Sequence, residues 1–339
     1  MLSKQFLLKQ KQCCGRGCLM CPYIPRHKQG SKKIMNRMGY ACINMQLSNS
    51  KPRIYTGRSM IKKTFKSKGI DYASELGLQN TKDLFKIIKW NNENGFDFFR
   101  ITSNLFPWCS EYKLEDMPHH WEIVGILGEC GKYVEENNMR ITSHPGPFNV
   151  LTSPHEHVVE NCIKDLSIHG EVFDMMGLSR TPFNKINIHI GGVYGDKKSA
   201  MERFCKNFER LPESVKSRLT VENDDKATMY SVKDLYEGVY KVIGIPIVFD
   251  YHHHRFNTGG LSEEDALEVA ISTWGDVVPV VHYSESRNIE QEDDKIRPQA
   301  HSDYVYDYID TYDNRVDIMV EAKAKELAVL KYKEIHKVV

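Results

Sequence analysis

The sequence predicts an α/β protein in which eight parallel strands, each followed by a helical segment, close into a (β/α)₈ barrel, the TIM barrel fold. Eight β-rich runs alternate with longer amphipathic segments. The runs are apolar on both faces, which is typical of parallel strands covered by helices. Eight such units in about 250–300 residues match the size of a TIM barrel. An open doubly wound sheet is the alternative, but no G-x-G-x-x-G turn supports its dinucleotide-binding form.

The repeating units extend from the first β-rich run to the end of the chain, so residues 37–339 are predicted to form the barrel domain. The β-rich runs are 39–44, 96–102, 139–145, 185–191, 219–224, 245–253, 278–285 and 316–323. Helical periodicity predicts helices over 81–93, 121–136, 155–176, 200–210 and 263–274.

Residues 1–36 are predicted to be a short, basic, cysteine-rich extension. The net charge of +1 hides an asymmetry, because residues 1–70 hold 16 Lys or Arg and no acid before Asp71. The remaining residues carry 30 basic and 45 acidic side chains. A basic segment on an acidic body indicates a polyanionic partner, with nucleic acid first. A solvated tail is the alternative.

The extension contains a cysteine cluster formed by Cys13, Cys14, Cys18 and Cys21. The spacing of Cys13, Cys18 and Cys21 is that of plant-type iron–sulfur loops, and four close thiolates also suit Zn²⁺. A reduced, exposed tail is the alternative. The five other cysteines are scattered, which suits a reducing compartment.

The predicted strands end in histidines and carboxylates. In a parallel barrel these ends meet on one face, where active sites are built. So many ionisable groups would repel one another and lose hydration without cations to neutralise them. Imidazole and carboxylate suit Zn²⁺ or Mn²⁺, and the set exceeds the needs of one tetrahedral ion, so two or three ions are expected. The candidate ligands are His144, His189, Glu222, Asp250, His253, His282 and Glu321.

Such a site suits two kinds of chemistry. Several divalent ions together promote phosphodiester hydrolysis, whereas the same ligands could hold the hydroxyls of a sugar during aldose–ketose isomerisation. The strand ends alone leave both open. His252 and His254 flank His253 and are expected to point the other way along the strand, so they receive no role.

Ordered motifs across residues 38–328 resemble those of the UV damage endonuclease family. The motifs are GYACIN (39–44), LFP (105–107), SHPG (143–146), HIGGVYGDK (189–197), ENDD (222–225), FDYHH (249–253), HYS (282–284) and DIMVEAK (317–323). The resemblance implies a TIM barrel with up to three divalent ions, typically Mn²⁺, with Mg²⁺, Co²⁺ or Zn²⁺ as alternatives. It also implies incision of double-stranded DNA 5′ to a lesion such as a pyrimidine dimer.

The resemblance also assigns roles to residues of this chain. His144 and His189 would hold one ion, and Glu222 would bridge it to a second. Asp250, His282 and Glu321 would complete that second site, and His253 and His301 would serve a third. The expected catalytic residues are Glu222, Asp250, Glu321 and His301. The expected DNA- or lesion-binding residues are Tyr40, Asn44, Pro147, Phe148 and Lys197.

Two positions depart from the family pattern. The family usually has Lys two residues before the histidine of the seventh strand, where this chain has Val280, and Gln-Tyr where it has Pro147-Phe148. A damaged-DNA-binding protein that has lost cleavage is therefore a second hypothesis, and the sugar isomerase a third.

No apolar run approaches the ~20 residues that a membrane span needs, and the start shows no secretory signal. We expect an intracellular monomer that acts in whichever compartment holds the DNA, nucleus or cytoplasm, without a membrane partner. Its basic, acid-free start leaves an organelle address open.

Overall fold

Eight parallel strands form a closed barrel in a computed structural model that describes residues 36–338 together with Gly15 and Gln29. Each strand pairs with the next in sequence, and β8 pairs with β1 to close the ring. The strands are β1 (Met38–Ala41), β2 (Phe98–Ile101), β3 (Arg140–Ser143), β4 (Ile186–Ile188), β5 (Leu219–Glu222), β6 (Ile247–Asp250), β7 (Val280–Tyr283) and β8 (Asp317–Val320).

Helices follow the strands and cover the outside of the barrel. They are α1 (Met45–Ser48), α2 (Lys62–Glu93), α3 (His120–Glu136), α4 (Glu156–Met175), α5 (Lys197–Phe208), α6 (Glu213–Lys216), α7 (Val232–Leu235), α8 (Lys241–Ile243), α9 (Tyr251–Phe256), α10 (Glu263–Ser272), α11 (Arg287–Glu290) and α12 (Glu326–His336). Single-turn 3₁₀ helices lie at Cys109–Glu111, Leu114–Asp116 and Pro182–Asn184, and a π-helical turn lies at Tyr236–Tyr240. The predicted (β/α)₈ fold is confirmed.

All eight predicted strands are present, most of them shorter than predicted, and two boundary differences change the interpretation. The helix predicted over 81–93 begins at Lys62 and breaks at Gly69, where φ is 65°. The run 245–253 is strand only as far as Asp250, whose carboxylate accepts a hydrogen bond from the backbone N–H of His253 and so starts α9. The expected strand alternation of His252 and His254 is therefore wrong, since both lie in this short helix.

Two apolar layers hold the barrel together. The larger lies between strands and helices; for example, Leu84, Ile87 and Ile88 recur at helical spacing on α2 and are fully buried. A smaller cluster fills the inside of the barrel. It consists of Ala41, Phe98, Val248, Trp274, Val280 and Met319.

A buried ion pair lies at the amino-terminal ends of the strands. Arg140, the first residue of β3, and Asp317, the first residue of β8, are 2.8 Å apart. The Arg140 guanidinium also donates to the carbonyls of Phe183 (2.7 Å), Val278 (2.8 Å) and Pro182 (3.1 Å). A buried guanidinium needs this many partners, and the network links four segments across this end of the barrel.

The cysteines predicted to bind metal, Cys13, Cys14, Cys18 and Cys21, lie outside the described residues. The boundary between extension and barrel at residue 36 stays a prediction. Within the described part of the chain, no helix combines the length and the apolarity that a membrane crossing requires.

Candidate metal centre

The strands deliver the predicted ligands to one end of the barrel. Glu222 and Asp250 are the last residues of β5 and β6, and His282 is the third residue of β7. The remaining candidates follow strand ends or lie in the loops beyond them. His144, His189 and Glu321 directly follow β3, β4 and β8, His253 lies in α9, and His301 lies between β7 and β8.

Glu222 lies at the centre of the group. One carboxylate oxygen is 3.2 Å from His144 Nε2 and 3.1 Å from His282 Nδ1. The other is 3.4 Å from His253 Nδ1 and 4.0 Å from His189 Nε2. Four strands and the short α9 helix therefore place four imidazoles around one buried carboxylate.

The candidate ligand atoms form three overlapping groups, and within each group they lie within 4.8 Å of one another. The groups are His144, His189 and Glu222; Glu222, Asp250 and His253; and Asp250, His282 and Glu321. Glu222 and Asp250 each belong to two groups. Carboxylates shared in this way are the arrangement that closely spaced divalent ions require.

The electrostatics of the two central carboxylates differ. Burial alone would raise the pKa of Glu222, but His282, His189 and His144 together hold this pKa well below its ordinary value. Burial raises the pKa of Asp250 to about 7, despite the opposing effect of His253. Without metal, Glu222 is therefore ionised, whereas Asp250 is close to half protonated at neutral pH.

The histidines also differ in their charge. Burial opposes protonation of His189, but Glu222 and Asp224 raise its pKa to about 10. Burial lowers the pKa of His282 to about 4, against the effect of Glu222. His189 is thus cationic in the metal-free protein, and it partly replaces the positive charge that a metal ion would supply.

The site fits divalent cations by a further criterion, because one ligand group contains two buried polar atoms that make no hydrogen bond among the described residues. These atoms are Asp250 Oδ2 and His282 Nδ1. Both belong to the group that includes Glu321. A buried carboxylate oxygen and a buried imidazole nitrogen that make no well-directed hydrogen bond are costly, and a divalent ion coordinated by both would satisfy them directly.

His301 does not join any of the three groups. Its Nδ1 is 2.9 Å from the backbone carbonyl of Glu321 and 3.8 Å from that residue's carboxylate. Its ring lies 6.3 Å from the ring of His253. The predicted pairing of His301 with His253 on a third ion stays a prediction. His253 Nδ1 is 2.9 Å from the backbone carbonyl of Asn223, and among the candidate ligands it groups with Glu222 and Asp250.

Four polar residues at the site were not among the sequence candidates. Asp224 Oδ1 is 3.0 Å from His189 Nδ1, which leaves Nε2 of that ring facing Glu222. Arg100 pairs with Glu321, and Asn187 donates to Glu222. Lys185 is fully buried with its Nζ 3.2 Å from His282 Nε2, and burial holds its pKa well below the usual range.

The alternation of side chains along the strands could have identified these four residues from the sequence. Lys185, Asn187 and His189 are two residues apart, and alternate residues of a strand share a face. A ligand at 189 therefore places 187 and 185 on the same interior face. Likewise Asp224 lies two residues after Glu222, and Arg100 is a charge within an otherwise apolar strand.

The loop after His144 presents an exposed aromatic ring on an anchored backbone. The Phe148 side chain is 87% exposed, and its neighbour Pro147 is also exposed. Asn149 is buried and donates to Asp165 at 2.8 Å, while Cys162 Sγ contacts the backbone of Phe148 and accepts from the N–H of Val150. Phe148 therefore does not pack beneath the loop as a core residue.

The other predicted lesion contacts are less open. Tyr40 and Asn44 are buried, and the Tyr40 hydroxyl donates to Asn91 at 2.6 Å and accepts from Asn44 at 2.9 Å. Their polar atoms are thus already paired, and their predicted contact with the lesion stays a prediction. Lys197 is half-buried and donates to Asp234 at 3.0 Å, so its charge is already compensated.

Comparison with known proteins gives consistent matches over nearly the whole described chain. The family model described as UV-endonuclease UvdE matches residues 36–338. The UV-damage endonuclease of Schizosaccharomyces pombe is 38% identical over 307 residues, which are 86% of this chain and 49% of the yeast protein. The UV DNA damage endonuclease of Bacillus anthracis is 30% identical over 87% of this chain and 93% of its own.

A solved structure gives the same match in three dimensions. The crystal structure of SacUVDE superposes with a TM-score of 0.76 at 32% identity, covering 89% of this chain and 98% of that chain. This chain spans about half the length of the yeast relative but nearly all of SacUVDE.

The closed barrel and its three ligand groups define a class, the TIM-barrel proteins whose strand ends are built to hold divalent metal ions. Within that class, the matching family model and the SacUVDE structure are decisive. The chain belongs to the UV-damage endonuclease family.

Proposed function

We propose that this protein is a metal-dependent DNA repair endonuclease that incises double-stranded DNA 5′ to UV-type lesions, including pyrimidine dimers and other photoproducts. The observation that carries the proposal is the buried Glu222 carboxylate with four histidines within 4.0 Å. Membership of the family supports the lesion-directed activity. The protein would act in whichever compartment holds the DNA, as a monomer.

Divalent ions bound in the three groups would activate water and neutralise the charge that develops on the attacking and leaving oxygens. His144 and His189 with Glu222 would hold one ion, and Asp250, His282 and Glu321 another. His253, with His301 nearby, would serve a third. We expect Mn²⁺, with Mg²⁺, Co²⁺ or Zn²⁺ as alternatives, because imidazole and carboxylate ligands suit these metals.

The chain's own residues prepare the site for the cations. Glu222 stays ionised because the surrounding imidazoles stabilise its charge. Asp250, with a pKa of about 7, gives up its proton as a cation binds. Asp224 fixes the ring of His189 so that Nε2 faces the site. These contacts set the ligand geometry before DNA arrives.

Access to the scissile bond requires that the lesion leave the base stack, which costs a few kcal/mol. Phe148 supports this step, because an exposed ring on an anchored loop can insert between base pairs as apolar wedges do. Where the family usually has Gln-Tyr, this chain has Pro147-Phe148. The aromatic ring is therefore kept, and the side-chain amide of Gln is absent.

The competing hypotheses are less well supported. The DNA-binding protein without cleavage was suggested partly by Val280, but Val280 packs in the apolar cluster inside the barrel, and the ligand groups assemble without it. The sugar isomerase shares the ligand chemistry but lacks the support of the family match.

A nicking assay on UV-irradiated plasmid tests the proposal. We expect nicks with Mn²⁺, none in excess chelator, and recovery when Mn²⁺ is restored, with unirradiated plasmid as the control. Full nicking in verified absence of metal would overturn the metal-dependent mechanism. Binding of irradiated DNA without nicks under every metal condition would favour the DNA-binding protein, and neither binding nor nicking would favour the isomerase.

A further inference from the structure

The loop and first helical turns that follow β1 carry an unusual density of positive charge. Between residues 37 and 70 the chain has eight Lys or Arg and no Asp or Glu. Six of them lie within the segment 51–68, are exposed, and have no carboxylate within ion-pair distance in the described chain. They are Lys51, Arg53, Lys62, Lys63, Lys66 and Lys68. Only Arg58 in this segment is paired, with Asp83 at 2.7 Å.

Aromatic rings accompany these cations. The Arg53 guanidinium lies 4.2 Å from the centre of the Tyr55 ring, and the Lys68 ammonium 4.0 Å from that of Tyr72. A cation over a ring is held in place while its net charge stays uncompensated. The six exposed cations of segment 51–68 therefore form a surface of positive charge, and none of the six has an anionic partner within the described residues.

The segment is fixed to the rest of the barrel. Phe65 stacks on Trp108, with ring centres 5.8 Å apart, and the Trp108 indole N–H donates to the carbonyl of Met60 at 2.9 Å. Asn80 bridges the carbonyls of Arg58 and Leu105, each at 3.0 Å. Trp108 and Leu105 belong to the loop after β2, so the basic segment is docked beside the next loop at the same end of the barrel as the ligands.

Charge is distributed unevenly around this end of the barrel. The segment between β7 and β8, residues 284–315, contains nine Asp or Glu and four Lys or Arg. A polyanion that approaches the ligands would therefore be attracted on the side of the β1 loop and repelled on the side of the loop between β7 and β8.

We propose that segment 51–68 binds the phosphate backbone of the duplex that flanks the lesion, with Lys62, Lys63 and Lys66 as the main contacts. Lys66 lies four residues after Lys62 and three after Lys63, so its side chain neighbours both on the surface of α2. The duplex then lies over the loops after β1, β2 and β3, where Phe148 is exposed, and away from the acidic loop between β7 and β8. This inference rests on the proposed function for the identity of the polyanion.

A matched pair of charge variants tests the inference. In the first variant, Lys62, Lys63, Lys66 and Lys68 are replaced by Gln. In the control, the four replaced lysines each already pair with a carboxylate and lie outside the segment. They are Lys82, Lys132, Lys216 and Lys241, paired with Glu122, Glu136, Glu209 and Glu237. Both variants change the net charge equally, and thermal melting checks that each one folds.

Fluorescence anisotropy with an undamaged and a lesion-containing duplex, measured across a range of salt concentrations, gives the readout. Each phosphate contact contributes about 0.9 to the slope of log affinity against log salt. We expect the first variant to bind both duplexes at least ~10-fold more weakly, with a slope smaller by about 2–4, and the control to match wild type. Shortening the duplex on one side of the lesion should abolish the difference in affinity between the first variant and wild type. Shortening it on the other side should leave that difference unchanged.

Two outcomes separate this inference from the proposed function. If wild type nicks irradiated plasmid but both variants bind with the same affinity and slope as wild type, the surface is not a DNA contact and the endonuclease proposal stands. If wild type never nicks, but only the first variant loses duplex affinity and slope, the DNA surface stands and the endonuclease proposal falls. Equal losses in both variants would also overturn the inference, because they would reflect net charge alone.

Discussion

Glu222 is the residue on which the candidate centre depends, because both of its oxygens face imidazoles and it belongs to two of the three ligand groups. Its negative charge offsets the charge of His189 without metal and would offset that of the cations with metal. The neighbouring Asn187 and His144 hold the carboxylate in one orientation. A neutral amide of the same shape would keep the packing and lose the charge.

Glu222→Gln should therefore lower single-turnover incision by about 100-fold or more, since several kcal/mol of charge stabilisation are lost. Bound metal, measured by mass spectrometry, should also fall below the wild-type content. Glu209→Gln, at an exposed carboxylate paired with Lys216, serves as the control. Wild-type turnover and metal content in the Glu222 variant would show that the ligand assignment is wrong.

Phe148→Ala should preserve the melting temperature and the bound metal, because the ring is almost fully exposed. Binding to a duplex lesion should weaken by about 1–3 kcal/mol, the usual contribution of one base–aromatic contact. The loss should shrink when the lesion lies in an unpaired bubble, because the bases are already unstacked. Equal losses on both substrates would contradict the wedge.

For individual residues, the sequence predicts the candidate metal ligands well, but it predicts poorly which other side chains contact those ligands. His144, Glu222 and Asp250 are recognisable because they end strands, and strand ends converge in any parallel barrel. Lys185 and Asn187 precede His189 in the fourth β-rich run. They can be recognised as site residues only when it is known which face of that run points into the barrel. The pairing of the Tyr40 hydroxyl with Asn44 and Asn91 is likewise a contact that no motif shows.

The short elements beside the strands are held by single side chains. The four-residue helix α1, which Asn44 caps, begins against the buried carboxylate of Glu326. The two oxygens of that carboxylate accept from the backbone N–H groups of Met45 and Gln46, each at 2.8 Å. The first residue of α12 thereby fixes the loop after β1 to the end of the barrel.

Glu326→Ala should lower the free energy of unfolding by about 2 kcal/mol, because two partly buried backbone N–H groups lose their acceptor. Glu326→Gln keeps one acceptor oxygen and should lose less. Denaturant unfolding followed by circular dichroism measures the difference. An alanine variant as stable as the glutamine variant would mean that water replaces the carboxylate without cost.

The sequence predicted the elements best where one periodicity persists. The strands were recognisable as short apolar runs, whereas the start of α2 was missed because Lys62–Lys68 is too polar to show an apolar stripe. The start of α9 was missed because Asp250 serves both as a strand end and as an N-cap. A residue with two local roles cannot be assigned from periodicity alone.

For the molecule as a whole, metal binding and proton release should be linked. The pKa of Asp250 is about 7 and that of His189 about 10 in the metal-free protein, and both groups must be deprotonated to act as ligands. The apparent affinity for Mn²⁺ should therefore rise as pH rises from about 6 to 8, by up to roughly tenfold per unit for each proton released.

Titration of Mn²⁺ followed by electron paramagnetic resonance at several pH values measures this dependence. Calorimetry in two buffers of different ionisation enthalpy counts the protons directly. Asp250→Asn should bind metal more weakly and release fewer protons than wild type. An affinity that does not change with pH would contradict the assignment of these two residues as ligands.

The Arg140 network at the amino-terminal end of the barrel has a consequence for the order of assembly. Within the described residues, that end is closed by a buried guanidinium and the interior is packed with side chains, so we expect the ligands to exchange ions with solvent from the opposite end. A bound duplex would cover that same entrance. We therefore expect the ions to bind before DNA does and to dissociate only after the DNA has left. Each encounter with a lesion would then involve a protein that already holds its metal ions.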